Sequence, residues 1–365
     1  MMDKKYVKVL IIVFTTLFLT AAVIFTLFYV TKRPVSKTST PITVEIAEGT
    51  STRAVFEKLS DLKAIKNDSV TLFYSNLFHK SNFKAGKFEI DSSWDLNFII
   101  DYLSNSSNII QNTFDFTILP GTNIRNIAKK LAEHIDYSED EIIDQWNNTD
   151  FLEAMMRTYV FLTSDIFDSK IVYKLEGYFF PDTYNLFENS TIEDVTKVFL
   201  NNTKKYFETY YDYFFHTDLT IHQVFTLASI IDYEGNSFDD RKDISSVFFN
   251  RMAAEMPLQS SVTRCYAIAL AENKDVVNGN ECEIELDYFS PYDTYQVSGL
   301  PPGPIRCVSE TSLIAALKPN TTDYYYFAGD VCGDGAVYFA KDLNEHQKNI
   351  DEIYAKCDED KEKSE

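Results

Sequence analysis

Residues 9–30 are 22 consecutive positions without a charged side chain. A run of that length crosses a hydrocarbon core about 30 Å thick, and within lipid it has to be helical, because its backbone has no water to bond. A cleaved leader is the competing reading. A leader has a shorter apolar region, however, and no Ala-x-Ala site follows this one. Lys4, Lys5 and Lys8 precede the run, and Lys32, Arg33 and Lys37 follow it. The positive-inside rule is therefore nearly tied, and the short N-terminal tail before a long soluble region favours an N-inside topology. The expected layout is a cytoplasmic tail at 1–8, one transmembrane helix at 9–30, and everything after about 31 outside the cytoplasm.

Residues 31–41, rich in Ser, Thr, Pro and Lys, read as an extended linker. A faint repeat follows. Ile42-Thr-Val-Glu-Ile-Ala-Glu-Gly-Thr-Ser-Thr-Arg53 and Phe114-Asp-Phe-Thr-Ile-Leu-Pro-Gly-Thr-Asn-Ile-Arg125 share Ile, Gly, Thr and Arg at an offset of 72. Each copy shows a strand pattern, then Gly-Thr, then an amphipathic helix. Two copies do not make a solenoid. The first opens a small strand-and-helix unit at 42–110, with a helix from about Trp94 to Leu103 and a polar boundary loop from Ser104 to Asn112. The second opens a larger, mainly helical region at 114–352. The acidic tail at 353–365 reads as disordered. The fold class expected is α+β, behind a single transmembrane helix.

Within the larger region, Ile221, Val224, Phe225, Ala228 and Ile231 follow the helix period, with Thr220 as a plausible N-cap. The same period brings Glu234 to the mouth of this helix, and Gly235 can end it. A carboxyl group with one apolar side is partly desolvated, which raises its pKa and suits it to general-acid work. The plainer alternative is a solvated acid at a helix end. Other chemistries find little support. Among His79, His134, His216, His222 and His346 there is no zinc-type spacing, no Gly-x-Ser-x-Gly elbow occurs, and no Gly-rich phosphate loop is present. No metal or cofactor is expected. A net charge of −21 argues against nucleic acid, whose phosphates need Lys and Arg.

Five segments occur in order: Leu175-Glu-Gly-Tyr-Phe-Phe-Pro-Asp-Thr-Tyr184, Leu227-Ala-Ser-Ile-Ile-Asp-Tyr-Glu-Gly235, Met256-Pro-Leu-Gln259, Ser290-Pro-Tyr-Asp-Thr-Tyr295 and Gly299-Leu-Pro-Pro-Gly-Pro-Ile305. Together with Val247-Phe-Phe-Asn-Arg-Met252, they make the chain resemble the YceG-like endolytic murein transglycosylases, from the membrane segment to about Ile350. The resemblance implies a LysM-like α+β module at 42–110 and a lytic transglycosylase-type catalytic domain at 114–352. It also implies a membrane-anchored lyase that cuts the bond between N-acetylmuramic acid and N-acetylglucosamine and ends nascent strands. Glu234 maps onto the catalytic acid, which first protonates the bridging oxygen and then deprotonates the muramyl C6 hydroxyl, leaving a 1,6-anhydromuramyl end. Partners implied are peptidoglycan strands and synthases of the elongation machinery. A non-catalytic glycan-binding or scaffold protein is the alternative.

The other motifs are expected to form the glycan cleft. Gln259 and Ser260 offer amide and hydroxyl groups. Tyr292, Thr294 and Tyr295 offer an apolar face with polar tips. Gly299, Pro301, Pro302 and Gly303 form a rigid wall, and Glu176 is either a second site acid or an internal hydrogen-bond acceptor. Asp232 and Asn250 are assigned supporting roles. The chain departs from the family where Gln-x-Asp-Pro-Thr becomes Gln259-Ser-Ser-Val-Thr263 and where a usual histidine is Val337. The five cysteines, Cys265, Cys282, Cys307, Cys332 and Cys357, are an odd number, so at least one is unpaired or intermolecular. Cys265 and Cys282 flank what looks like an insertion at 271–281, which favours that pair.

Overall fold

A computed structural model describes residues 4–47, 49–78, 82–110, 112–235, 237–274, 282–330 and 335–364. The chain divides into two units, Met1–Asn112 and Thr113–Glu365.

The first unit begins with α1 (Lys4–Lys32) and continues with β1 (Pro41–Ile46), α2 (Thr52–Asp61), α3 (Asp68–Phe78), β2 (Gly86–Asp91) and α4 (Leu96–Leu103). Residues Ile11–Lys32 of α1 are long and apolar enough to cross a membrane. The strands are antiparallel, with Val44 opposite Phe88 and Ile42 opposite Ile90. Strand periodicity turns Val44, Ile46, Phe88 and Ile90 inward, onto Val55, Phe56 and Leu59 of α2 and Ile99, Ile100 and Leu103 of α4. Ser51 and Asp95 cap α2 and α4 through their side chains. Gly86 is required where it stands: at φ +143°, a Cβ there would lie 2.7 Å from Ile109. The stretch read as an extended linker is bonded to the end of β2. Ser36 N–H donates to Ser92 O at 3.1 Å, and Ser39 Oγ donates to Asp91 Oδ2 at 2.6 Å.

In the second unit, β3 (Thr113–Ile118) pairs antiparallel with β4 (Asp182–Phe187). Between them lie α5 (Ile124–Leu131), α6 (Glu139–Asn147) and α7 (Thr149–Met156). The sequence repeat is thus a structural one, with β1 and β3 starting at 41 and 113 and α2 and α5 at 52 and 124. Next come α8 (Ile192–Thr209), α9 (Tyr211–Phe214), α10 (Ile221–Glu234), α11 (Phe238–Ala253), α12 (Ser261–Glu272) and α13 (Glu310–Leu317). A hairpin of β5 (Tyr326–Gly329) and β6 (Val337–Ala340) leads into α14 (Leu343–Ser364). The tail expected to be disordered is therefore helical through Ser364. Ile353 and Cys357, one turn apart, are buried on one face of α14.

The core of this unit wraps α10. Thr220 caps it reciprocally with Gln223, as the sequence suggests. The single apolar face read from the sequence is too narrow a description. Leu227 and Ile230 are buried as completely as Val224, Phe225, Ala228 and Ile231, so the helix is enclosed on nearly all sides. The Pro- and Gly-rich segment after residue 299 runs beside it like a strap. Pro302 O meets His222 Nε2 at 2.8 Å, Ile305 N–H donates to Ser229 Oγ at 3.0 Å, and Ser309 Oγ donates to Asp232.

Candidate active site

The last turn of α10 reaches a groove. Glu234 lines a cleft of about 560 Å³ together with Gln259, Ser261, Glu283, Tyr295, Tyr326 and His346. Gly235 ends the helix in an extended conformation, and its lack of a side chain admits Arg241, whose Cγ would lie 2.4 Å from a Cβ. Ser260, 2% exposed, donates its hydroxyl to Glu234 Oε1 at 2.7 Å. Burial pushes the Glu234 carboxyl above its ordinary range. The Ser260 hydrogen bond opposes that shift, the like charge of Glu283 reinforces it, and Arg306 opposes it. A carboxyl held this way keeps its proton to higher pH than an exposed one, and can give it up and take one back.

The residues behind Ser260 are stacked in layers. Thr294 is completely buried. Its Oγ1 accepts from Ser260 N–H at 3.0 Å and lies 2.8 Å from Thr263 Oγ1. Gln259, at φ +52°, is the pivot that turns the chain into α12, and Arg251 Nη1 donates to its Oε1 at 3.2 Å. Arg251 also donates to the carbonyls of Leu258 and Tyr325, at 2.9 and 2.6 Å. Asn250 Nδ2 donates to Thr322 O and Tyr324 O, at 3.0 and 2.8 Å. The Asn-Arg pair therefore fixes β5, whose Tyr326 forms one wall of the groove.

The remaining expected site residues fall in three places. Tyr295 faces the groove, exposed, with the Arg264 guanidinium 3.9 Å from its ring centre. Arg264 is itself held by buried Asp293 at 3.2 Å. Tyr292 and Thr294 are corrected from glycan platform to interior: at 1% and 0% exposure they offer a sugar no surface. Glu176 takes the internal-acceptor reading of the two open to it. It is 2% exposed, and its carboxyl accepts from Ile124 N–H at 3.0 Å and from Tyr266 Oη at 3.2 Å. Burial pushes it up to about 8, against the pull of those bonds and of Arg306. Gly299, Pro301 and Pro302 line a different cavity, of about 860 Å³, with Asp165, Asp168 and His222 around the start of α10. Gly303 packs beside His222 there. The 14 residues of α10 put roughly 20 Å between that end and Glu234. Asp232, 9% exposed, turns away from the groove to accept from the Ser309 hydroxyl at the head of α13.

Two groove residues, Glu283 and Tyr326, had no distinct signal in the sequence, whereas His346 belongs to a Glu345-His346 pair that matches the family's later Glu-His pair and was given no site role. His346 stacks on Tyr326, with ring centres 5.2 Å apart. Glu283 follows Cys282, whose disulfide to Cys265 bears out the favoured pair and ties this edge of the groove to α12. Cys307 is free and buried, Cys357 is disulfide-bonded, and Cys332 lies outside the described residues.

The YceG-like family model matches residues 44–352. An endolytic murein transglycosylase of Bacillus subtilis is 34% identical over 318 residues, covering 86% of each chain. One from Streptococcus pneumoniae is 28% identical over 85% of this chain, which spans 58% of that longer relative. The crystal structure of a yceG-like protein from Listeria monocytogenes matches with a TM-score of 0.58 at 31% identity, covering 85% of this chain and 99% of that one. A match over that much of its length, with Glu234 seated in a groove at the end of a buried helix, makes the chain a member of the YceG-like family.

Proposed function

We propose that the protein is a membrane-anchored endolytic transglycosylase that cuts nascent peptidoglycan strands between N-acetylmuramic acid and N-acetylglucosamine. The observation that carries this reading is the state of Glu234: a desolvated carboxyl in an open groove, with one hydroxyl donor at its back. Protonated, it delivers its proton to the bridging oxygen as the glycosidic bond breaks. Charge developing at the anomeric carbon is relieved by the substrate's own acetamide. The resulting carboxylate removes the proton of the muramyl C6 hydroxyl, whose oxygen closes onto the anomeric carbon. One residue serves both steps, and no water is consumed.

Tyr295, Tyr326 and the Gln259 amide form the sugar-facing walls of this reading, with Ser260 and Asn250 as positioning residues and Asp232 tying α10 to α13. A long polymer can also reach the Gly299–Pro302 cavity from the same cut site, since both border the segment 289–302. The β-α-α-β order of 41–91 supports reading 42–110 as a LysM-like module that positions the enzyme or grips glycan. With α1 as a single-pass anchor and its N-terminus cytoplasmic, the chain after α1 lies outside the cytoplasm beside the strands being made. Synthases of the elongation machinery are the protein partners this placement favours.

Hydrolysis is the second reading, and Glu283 is the observation for it: glycosidases usually pair two carboxyl groups, and this one lines the same groove. Mass analysis of glycan ends separates the two. The full chain in detergent, given uncrosslinked strands, is expected to leave anhydromuramyl ends. Reducing ends would make it a hydrolase, and unchanged strands a binding protein.

A further inference from the structure

Helix α3 is built inside out for a helix in water. Its fully buried positions include the polar Thr71 and Ser75, while Phe73, Leu77 and Phe78 are 58%, 55% and 51% exposed. Val70, Phe73 and Leu77 recur at helical spacing and form one outward apolar stripe. Contiguous exposed apolar surface of this kind marks a binding face.

What meets that face is set by its neighbour. The last turns of α1, where the apolar run leaves the membrane, pack directly on α3. Phe28 lies 5.9 Å from Phe73 and 5.4 Å from Tyr74, ring centre to ring centre. Lys66 Nζ donates to Val30 O at 3.1 Å. Lys32 Nζ sits 4.6 Å from the Tyr74 ring centre and 5.9 Å from that of Phe78. A lysine at this level snorkels its ammonium toward headgroups while its stem stays apolar. An apolar groove of about 260 Å³ runs between the two helices, lined by Ile24, Leu27, Phe28, Val70 and Phe73. Phe28 is four residues, or about 6 Å, below Lys32 along the axis. That is the depth to which interfacial helices bury their apolar faces, about 5–10 Å.

We propose that α3 lies in the bilayer interface of the leaflet where α1 ends, with Phe73, Leu77 and Phe78 among the upper acyl carbons and a lipid chain in the groove beside Phe28. The first unit is then seated on the membrane by two contacts, one spanning and one lying flat, at a fixed height. The inference rests on α1 being the membrane anchor, and it holds for either orientation of the chain.

Full-length protein carrying Leu77→Trp, and a control carrying Glu57→Trp on α2, is reconstituted into phosphatidylcholine–phosphatidylglycerol vesicles. The lipids are unlabelled or brominated near the carbonyl end of the acyl chain. Flotation is measured first, and only floated protein is read. With the wild-type emission of Trp94 and Trp146 subtracted, the residue-77 tryptophan is expected to lose most of its emission in brominated lipid, and the residue-57 tryptophan very little. Phe78→Trp, which keeps an aromatic ring in place, is expected to repeat the result. Floated protein whose residue-77 signal is no more quenched than that at residue 57 overturns the proposal. If that unquenched emission is also blue-shifted, the face belongs to a second copy of the chain. Protein that does not float refutes the anchor, and the proposal with it.

Discussion

Glu176 gives a test whose size follows from the structure. Its carboxyl is enclosed by the head of α5, Tyr266 and the strap, and burial holds its proton to about pH 8 instead of the ordinary 4.5. A folded-state pKa raised above the unfolded value means the folded chain keeps a proton that the unfolded chain has lost. The stabilisation is complete below about pH 4.5 and disappears progressively as pH rises to about 8. At 1.36 kcal/mol per pH unit, that interval is worth roughly 5 kcal/mol at most. Glu176→Gln copies the protonated form: its amide oxygen can accept from Ile124 N–H, and it has no proton to lose. The variant and the wild type should melt together at about pH 4 and below. By pH 8 the variant should melt higher, by on the order of 10 °C for a unit of this size. Trp146, buried in the same unit and bonded to Thr196 at 2.8 Å, is the reporter. Glycan cleavage should survive the change, because Glu176 touches no open surface. Parallel melting profiles across this pH range would refute the electrostatic argument, and a well-folded variant without activity would return Glu176 to the site.

Three further outcomes concern the groove. Glu234→Gln should cost roughly 10²–10⁴ in rate and abolish anhydromuramyl ends by mass analysis, whereas Asp232→Asn, turned toward Ser309, should cost far less. The rate should fall as pH rises through the elevated Glu234 pKa. Removing a like charge with Glu283→Gln should move that fall to lower pH, and removing a hydrogen bond to the charged form with Ser260→Ala should move it higher, both read from pH–rate profiles. The double change Cys265→Ser/Cys282→Ser opens a loop with a sequence separation of 17 and should cost about 3 kcal/mol by loop entropy, seen as a lower urea midpoint.

The local features were legible and the convergent ones were not. Thr220 caps α10 because capping is decided within four residues, and the offset of 72 survives as paired strands and helices because each copy is a contiguous unit. The groove is different. Tyr326, His346 and Glu283 line the groove of Glu234 from separate elements, and although Glu345-His346 matches a family pair, nothing near the three in sequence places them beside that carboxyl. Tyr292 and Thr294 were misplaced because an amphipathic side chain fits a wet wall or an interior equally well. Gly299 to Gly303 were grouped with Glu234 by motif order, but the strap spreads its residues along the whole of α10, so its two ends serve different places.

A single carboxyl that must act as acid and then base cannot have its pKa pushed too far in either direction, and the groove holds Glu234 between opposing influences. Desolvation and Glu283 favour the protonated form, while Ser260 and Arg306 favour the carboxylate. Each of these groups is fixed by something other than the glycan. Ser260 is held by Thr294, and the Arg306 guanidinium stacks 4.4 Å from the ring centre of Tyr233. Glu283 follows a half-cystine whose partner sits in α12, four residues after the first helical position. The loss of the family's Asp and Pro at Ser261 and Val262 therefore falls at a point already braced by Thr294 from behind and by the disulfide one turn on. Without that bracing, the Ser260 hydroxyl would wander, the carboxylate of Glu234 would lose a hydrogen bond that stabilises its charged form, and the group would become a weaker acid for the first proton transfer.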